Sequence, residues 1–181
     1  FAAWRPEALC KDWSNNGDKY TPEGTDGAYG GYYTQEQLRD LVAYASQRGI
    51  TIVPEIEMPG HSEEVLTAYP ELSCTHEPYK QSDFCPGSIA TYDFLENVLK
   101  EVMDIFPSEY IHVGGDEAAK KSWDDCPLCQ KKMKELGCDK NGLQAHLITH
   151  MGKFLSQHGR QLVGWDEVIA GNLAQNTTVM V

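Results

Sequence analysis

The amino-acid sequence predicts an α/β fold built on a parallel sheet. Amphipathic helical patterns alternate along the chain with short apolar runs, and these runs lack the polar alternation of a half-exposed strand. Strands covered on both faces require crossover helices between them, and such crossovers are right-handed. The pattern is compatible with an open doubly wound sheet and with a (β/α)8 barrel, and both place their chemistry at the carboxyl ends of the strands.

The first helix–strand unit begins at Thr34. Thr34 and Gln37 have the spacing of a capping box, and the apolar residues that follow share one helical face until Gly49 ends the helix. Residues 50–53 are a short β-branched run without polar alternation. They are therefore predicted to form the first strand, buried on both faces.

Two further helices are predicted downstream. Residues 91–106 carry a wide apolar stripe that ends before Pro107, and residues 141–158 carry a similar stripe with Gly159 just past its end. Each helix precedes another apolar run. The four predicted strands are residues 50–53, 110–113, 161–165 and 178–181.

Composition restricts the classes of partner. The chain has 15 basic and 27 acidic residues, a formal net charge of -12, which disfavours binding to nucleic acid or to an anionic lipid surface. No apolar run approaches the roughly 20 residues that span a bilayer. Residues 1–31 are rich in Gly, Asn, Asp, Pro and Thr without a sustained period and are predicted to be an irregular loop segment. Residues 32–181 carry the alternating units of what we expect to be part of one domain.

Acidic and aromatic side chains follow the predicted strands directly. Because the carboxyl ends of parallel strands meet at one edge of a sheet, we expect these residues to converge. Carboxylates, an imidazole and an indole in one cleft favour acid–base chemistry on a neutral, polyhydroxylated ligand. The converging residues are Glu57 and His61 after the first strand, Asp116 and Glu117 after the second, and Trp165, Asp166 and Glu167 at the third.

Four segments together carry a family resemblance. They occur in order from about residue 29 to the end: 31–34 (GYYT), 54–61 (PEIEMPGH), 112–117 (HVGGDE) and 164–167 (GWDE). Together they resemble the catalytic domain of family 20 glycoside hydrolases, the β-N-acetylhexosaminidases. The resemblance implies a partial (β/α)8 TIM barrel in which the predicted strands correspond to about the third to the sixth.

The same resemblance implies a mechanism and a set of site residues. The family cleaves terminal β-linked N-acetylglucosamine or N-acetylgalactosamine from glycans or chitooligosaccharides with retention, using the 2-acetamido oxygen of the substrate as nucleophile. Glu117 then corresponds to the general acid and base, and Asp116 to the residue that orients the acetamido group. His61 corresponds to the histidine that supports the acid, and Trp165 to an aromatic wall of the substrate pocket.

Each of these residues also has a plainer structural interpretation. Asp116 and Glu117 could oppose a helix dipole, His61 could cap the following helix, and Trp165 could be ordinary core. His112 is predicted to be an interior histidine outside the site. The alternative function is a non-catalytic carbohydrate-binding protein on the same barrel. The family's remaining sugar-binding residues have no match here, so we expect the chain to be a fragment that is inactive in isolation.

The cysteines allow several interpretations. Cys126 and Cys129 form a CxxC motif, but a zinc site needs a second pair and Cys138 is the cysteine nearest in sequence. A surface loop with a local disulfide or free thiols is favoured, and Cys74 is predicted to pair with Cys85. No metal and no cofactor are assigned. The cysteine count and the resemblance together favour an extracytoplasmic location.

Overall fold

The computed structural model describes residues 5–6, 24–170 and 177–181, so most of the predicted irregular segment 1–31 lies outside the described residues. The helices are α1 (Gln35–Ser46), α2 (Glu63–Ala68), α3 (Ile89–Ile105), α4 (Pro127–Leu136) and α5 (Lys140–Gln157). The strands are β1 (Arg5–Pro6), β2 (Ala28–Tyr29), β3 (Tyr110–His112), β4 (Gln161–Trp165) and β5 (Thr178–Met180). No described helix combines the length and the hydropathy that a bilayer crossing requires.

The main sheet is parallel, as the sequence predicts. Its strand order is β3-β4-β5, with Tyr110 opposite Gln161 and Val163 opposite Thr178. Consecutive strands that are neighbours and parallel require a crossover between them, and α4 and α5 supply it between β3 and β4. Within the segment predicted to be irregular, β1 and β2 form a short antiparallel pair.

The prediction of a strand at residues 50–53 is wrong. Ile50 and Val53 are 58% and 44% exposed, and the pairing with β3 falls on the residues that follow. The Ile56 amide donates to the His112 carbonyl at 2.9 Å, and the His112 amide donates to the Pro54 carbonyl at 2.9 Å. Backbone hydrogen bonding to β3 therefore begins several residues later than the β-branched run suggests.

The predicted helices are confirmed with small changes of boundary. Thr34 caps α1 through the expected reciprocal bonds with Gln37, and Gly159 has φ 71° just past α5. The main core lies between the sheet and helices α3 and α5. Its fully buried residues include Leu95 and Leu99 of α3, Leu147, Met151 and Leu155 of α5, and Ile111 and Leu162 of the strands.

Helix α4 corrects the prediction of a surface loop around the CxxC motif. Cys126 is the N-cap, Pro127 occupies the first helical position, and Gly137 ends the helix at φ 63°. Proline at this position sacrifices no helical hydrogen bond, because the first amides of a helix have no partner within it. Cys126 and Cys129 are buried, in a second apolar cluster with Trp123 and Leu143.

Leu99 provides a test of the main core. It is fully buried in α3, so Leu99→Ala in the full-length protein should lower the free energy of unfolding by about 2–5 kcal/mol. Leu136 is 40% exposed at the end of α4. The control Leu136→Ala should cost less than about 1 kcal/mol. Equal losses in urea denaturation would show that α3 does not carry the core.

Candidate active site

The turn after β3 brings two adjacent carboxylates to the carboxyl edge of the sheet. Gly114 and Gly115 adopt φ values of 65° and 97°, which other residues rarely reach. A Cβ at Gly114 would collide with the Glu57 carboxylate, and a Cβ at Gly115 would collide with Val168. Both glycines are therefore needed for the close approach of this turn to its neighbours.

His61 lies against both adjacent carboxylates. Its Nε2 is 3.5 Å from Asp116 Oδ2 and 3.4 Å from Glu117 Oε2. These distances are slightly longer than a hydrogen bond, as is common in catalytic sites without substrate. The side chains differ in access, since 72% of Glu117 but only 25% of Asp116 is exposed. The pair therefore offers one reachable carboxylate and one shielded carboxylate.

The backbone on both sides of this contact is held in place. The Glu117 amide donates to Glu167 Oε2 at 3.1 Å, and Glu117 itself has φ 47°. On the opposite side, Ser62 Oγ donates to the Gly60 carbonyl at 2.8 Å. A Cβ at Gly60 would lie 3.0 Å from the Asp116 carbonyl, so the turn that carries His61 packs closely on the acidic segment.

Glu57 is a third carboxyl group at this edge. Its Oε2 is buried without a hydrogen-bond partner among the described residues. Burial raises the pKa of Glu57 from 4.5 to about 7, and the nearby charges of Asp116 and Glu55 contribute in the same direction. Glu57 therefore loses its proton near pH 7, where an ordinary carboxyl group is already ionised.

Trp165 is held at the edge by Glu55. The indole Nε1 donates to Glu55 Oε1 at 3.0 Å, and the indole ring lies 4.8 Å from the ring of His112. His112 Nδ1 is 3.1 Å from the same Glu55 oxygen and accepts from the Gly114 amide at 3.0 Å. His112 is interior, as predicted, but it contacts a residue that positions Trp165.

Asp83 fixes the segment directly after Glu117. Its two carboxylate oxygens accept from the Ala119 amide at 3.3 Å and from the Lys120 amide at 2.8 Å. The neighbouring Phe84 amide donates to the Pro59 carbonyl at 2.9 Å. The segment around Asp83 therefore joins the turn of His61 to the loop of Glu117.

The structure brings the four sequence-predicted site residues to one edge of the sheet. His61 contacts Asp116 and Glu117 directly. Trp165 instead contacts Glu55 through its indole and the Gly114 carbonyl through its amide. Sequence reasoning missed Glu55 and Asp83. The alternation of Glu55 with Glu57 was a usable signal, because residues two apart on an extended segment face the same side. Nothing in the sequence around Asp83 indicates its role.

The predicted disulfide between Cys74 and Cys85 is wrong in the structure. The five described cysteines are all free thiols. The sulfur atoms of Cys74, Cys85, Cys126 and Cys129 instead lie within 4.8 Å of one another. The ligand atoms of His61, Asp116 and Glu117 are equally close, but this second group is the candidate acid–base site itself.

The pKa of Glu57 predicts a specific pH dependence of stability. A carboxyl pKa raised from 4.5 to about 7 favours the folded state at low pH, and this contribution is lost as the pH rises from about 4.5 to about 7. Glu57→Gln should therefore become more stable relative to wild type across that range. Melting temperatures of the full-length proteins between pH 4 and pH 8 measure the difference. The control Glu71→Gln, at an exposed position, should show the same pH dependence of melting temperature as wild type. If Glu57→Gln also showed the wild-type pH dependence, the raised pKa of Glu57 would be contradicted.

Comparison with known proteins identifies the family of the chain. The family model "Glycosyl hydrolase family 20, catalytic domain" matches residues 4–181. A beta-hexosaminidase of Porphyromonas gingivalis is 46% identical over 98% of the chain and 24% of the relative's own length. A beta-hexosaminidase of Vibrio furnissii is 40% identical over 84% of the chain and 26% of its own length. The chain thus spans about a quarter of the curated relatives it matches.

Solved structures agree with this result. A beta-N-acetylhexosaminidase of Bacteroides fragilis superposes with a TM-score of 0.77 at 42% identity, over 82% of this chain and 31% of that one. An exo beta-N-acetylglucosaminidase of Vibrio harveyi, in complex with N-acetylglucosamine, superposes with a TM-score of 0.79 at 34% identity. The match covers 98% of this chain and 28% of that one. The fold is that of a partial (β/α)8 barrel. The chain therefore belongs to glycosyl hydrolase family 20, within its catalytic domain.

Proposed function

We propose that the full-length protein hydrolyses terminal β-linked N-acetylhexosamine residues, and that residues 1–181 form part of one catalytic barrel. The observation that carries the proposal is the adjacency of Asp116 and Glu117 with His61 Nε2 within 3.5 Å of both. The names of the similar proteins support the reaction class. Simple sugar binding would not require two adjacent carboxylates of different access.

Glu117 is the general acid in this proposal. Its side chain is 72% exposed and can reach both a glycosidic oxygen and an incoming water. It donates its proton to the departing oxygen as the C1–O bond breaks, and it then removes a proton from water in the second step. Its backbone is held by Glu167, and His61 limits the rotation of its carboxylate.

Asp116 orients the nucleophile that the substrate itself supplies. The 2-acetamido oxygen forms a bond to C1 as the leaving group departs, which gives a positively charged oxazolinium ring. The shielded carboxylate of Asp116 accepts the acetamido N–H and stabilises this charge. A quarter of the Asp116 side chain is exposed, which leaves part of the carboxylate within reach of the acetamido group. Water then opens the ring at C1 with retention.

The proposed substrates are glycans or chitooligosaccharides that end in N-acetylglucosamine or N-acetylgalactosamine. The half-buried Trp165 supplies an apolar face for a sugar ring, and its Nε1 is already held by Glu55. The Vibrio harveyi relative, whose structure contains N-acetylglucosamine, supports the choice of sugar.

Glu117→Gln tests the role of the general acid. In the full-length protein, turnover of substrates with poor leaving groups should fall by about 10²–10⁴-fold, because Gln cannot protonate the departing oxygen. Activated aryl N-acetylglucosaminides need less protonation and should lose less. The comparison uses kcat on a chitooligosaccharide and on an aryl glycoside. Equal losses on both substrates would remove Glu117 from this role, and Glu71→Gln should leave both rates unchanged.

Asp116→Asn tests the orienting role. The substitution removes the charge that stabilises the oxazolinium ring, so turnover of N-acetyl substrates should fall by about 10²–10³-fold. Substrates that lack the N-acetyl group should remain as poor as they are with wild type. Wild-type rates in the variant would contradict the assignment. A full-length wild-type protein that binds N-acetylglucosamine without cleaving any β-glycoside would favour the carbohydrate-binding alternative.

A further inference from the structure

Two pairs of cysteines distant in sequence meet outside the candidate active site. Cys74 and Cys85 flank a loop after α2, and Cys126 and Cys129 lie at the start of α4. We call these four residues the cysteine cluster. Cys85, Cys126 and Cys129 are buried, at 1%, 6% and 0% exposure, and Cys74 is half-buried.

The spacing of the sulfur atoms matches a tetrahedral metal site. Sγ–Sγ distances are 3.7 Å for Cys74–Cys129, 3.7 Å for Cys85–Cys126 and 3.6 Å for Cys85–Cys129. A zinc ion with Zn–S bonds of about 2.3 Å places its sulfur ligands about 3.8 Å apart. A disulfide requires about 2.05 Å between one pair. Two disulfides would leave Cys85 and Cys129 with one close partner each, whereas each contacts two.

The surroundings favour thiolate ligands. Cys126 is the N-cap of α4 and Cys129 lies in its first turn, where free amides and the helix dipole stabilise negative charge. Fully buried Trp123 and Leu143 cover the cluster. The cluster therefore combines buried sulfur atoms with a helix start that favours thiolate charge.

We propose that Cys74, Cys85, Cys126 and Cys129 bind one structural Zn²⁺ ion. Four sulfur ligands leave no open position, which is the character of a structural zinc site and not of a catalytic one. Zinc is favoured because four cysteine sulfur atoms are a usual ligand set of structural zinc, whereas the cations Mg²⁺ and Ca²⁺ prefer oxygen ligands. This inference does not depend on the proposed hydrolase activity.

The proposed zinc site lies close in sequence to the residue that holds the loop following Glu117. Cys85 lies two residues after Asp83, whose carboxylate holds the amides of Ala119 and Lys120. Gly87 packs so closely on α4 that a Cβ there would collide with the Cys129 amide. A metal bound to Cys85 and Cys129 would therefore clamp the Asp83 segment to α4 and, through it, the loop that follows Glu117.

Metal analysis of the full-length protein tests the proposal. Protein purified without chelator should contain about one zinc per chain more than the Cys85→Ser and Cys129→Ser variants. Cys138→Ser is the matched control, because Cys138 packs beside the cluster without belonging to it, and it should retain the zinc of wild type. A zinc chelator should lower the melting temperature of wild type and of Cys138→Ser, and should change that of the other variants little.

A second measurement needs no variant and so stands even where a serine variant fails to fold. Wild type grown with Co²⁺ in place of Zn²⁺ should show the intense visible bands of tetrahedral cobalt thiolate. Peptide mapping without reductant reports any disulfides. Iron in place of zinc, two disulfides within the cluster, or a folded protein that binds neither Zn²⁺ nor Co²⁺ at these thiols would each overturn the proposal.

Discussion

Parallel hydrogen bonding on both sides of β3 determines where the candidate catalytic side chains lie. The segment around Ile56 pairs with one edge of this strand and β4 pairs with the other. All three segments run in the same direction, so their carboxyl ends, with Glu57, Glu117 and Trp165, meet at one edge. Residues separated by more than a hundred positions thereby come within reach of one ligand.

Close packing at this edge gives chemically similar carboxyl groups different properties. Burial and the neighbouring charge of Asp116 raise the pKa of Glu57 to about 7, whereas Glu117 extends into solvent. The glycines after β3 permit this approach, since any side chain at Gly114 would displace the Glu57 carboxylate. Environment, and not residue type, therefore gives these carboxyl groups different exposure and raises the pKa of Glu57.

Support for the loop that follows Glu117 comes from a segment far from it in sequence. Asp83 connects the loop after Glu117 to the turn of His61, and Cys85 of the cysteine cluster lies two residues further along. The apolar cluster beside these cysteines is small compared with the main core. Metal binding would compensate for this small core, because it contributes directly to the stability of the fold.

The sequence by itself determined the fold class, the strands β3, β4 and β5, the helices α1, α3 and α5, and the residues gathered at the sheet edge. These features follow from periodicity, capping and local motifs, which act between residues near in sequence. Only the tertiary structure decided the pairing of residues 54–58 with β3, the roles of Glu55 and Asp83, and the meeting of Cys74 and Cys85 with the CxxC pair. Each depends on contacts between distant segments, whose geometry is set by packing and leaves no periodic trace in the sequence.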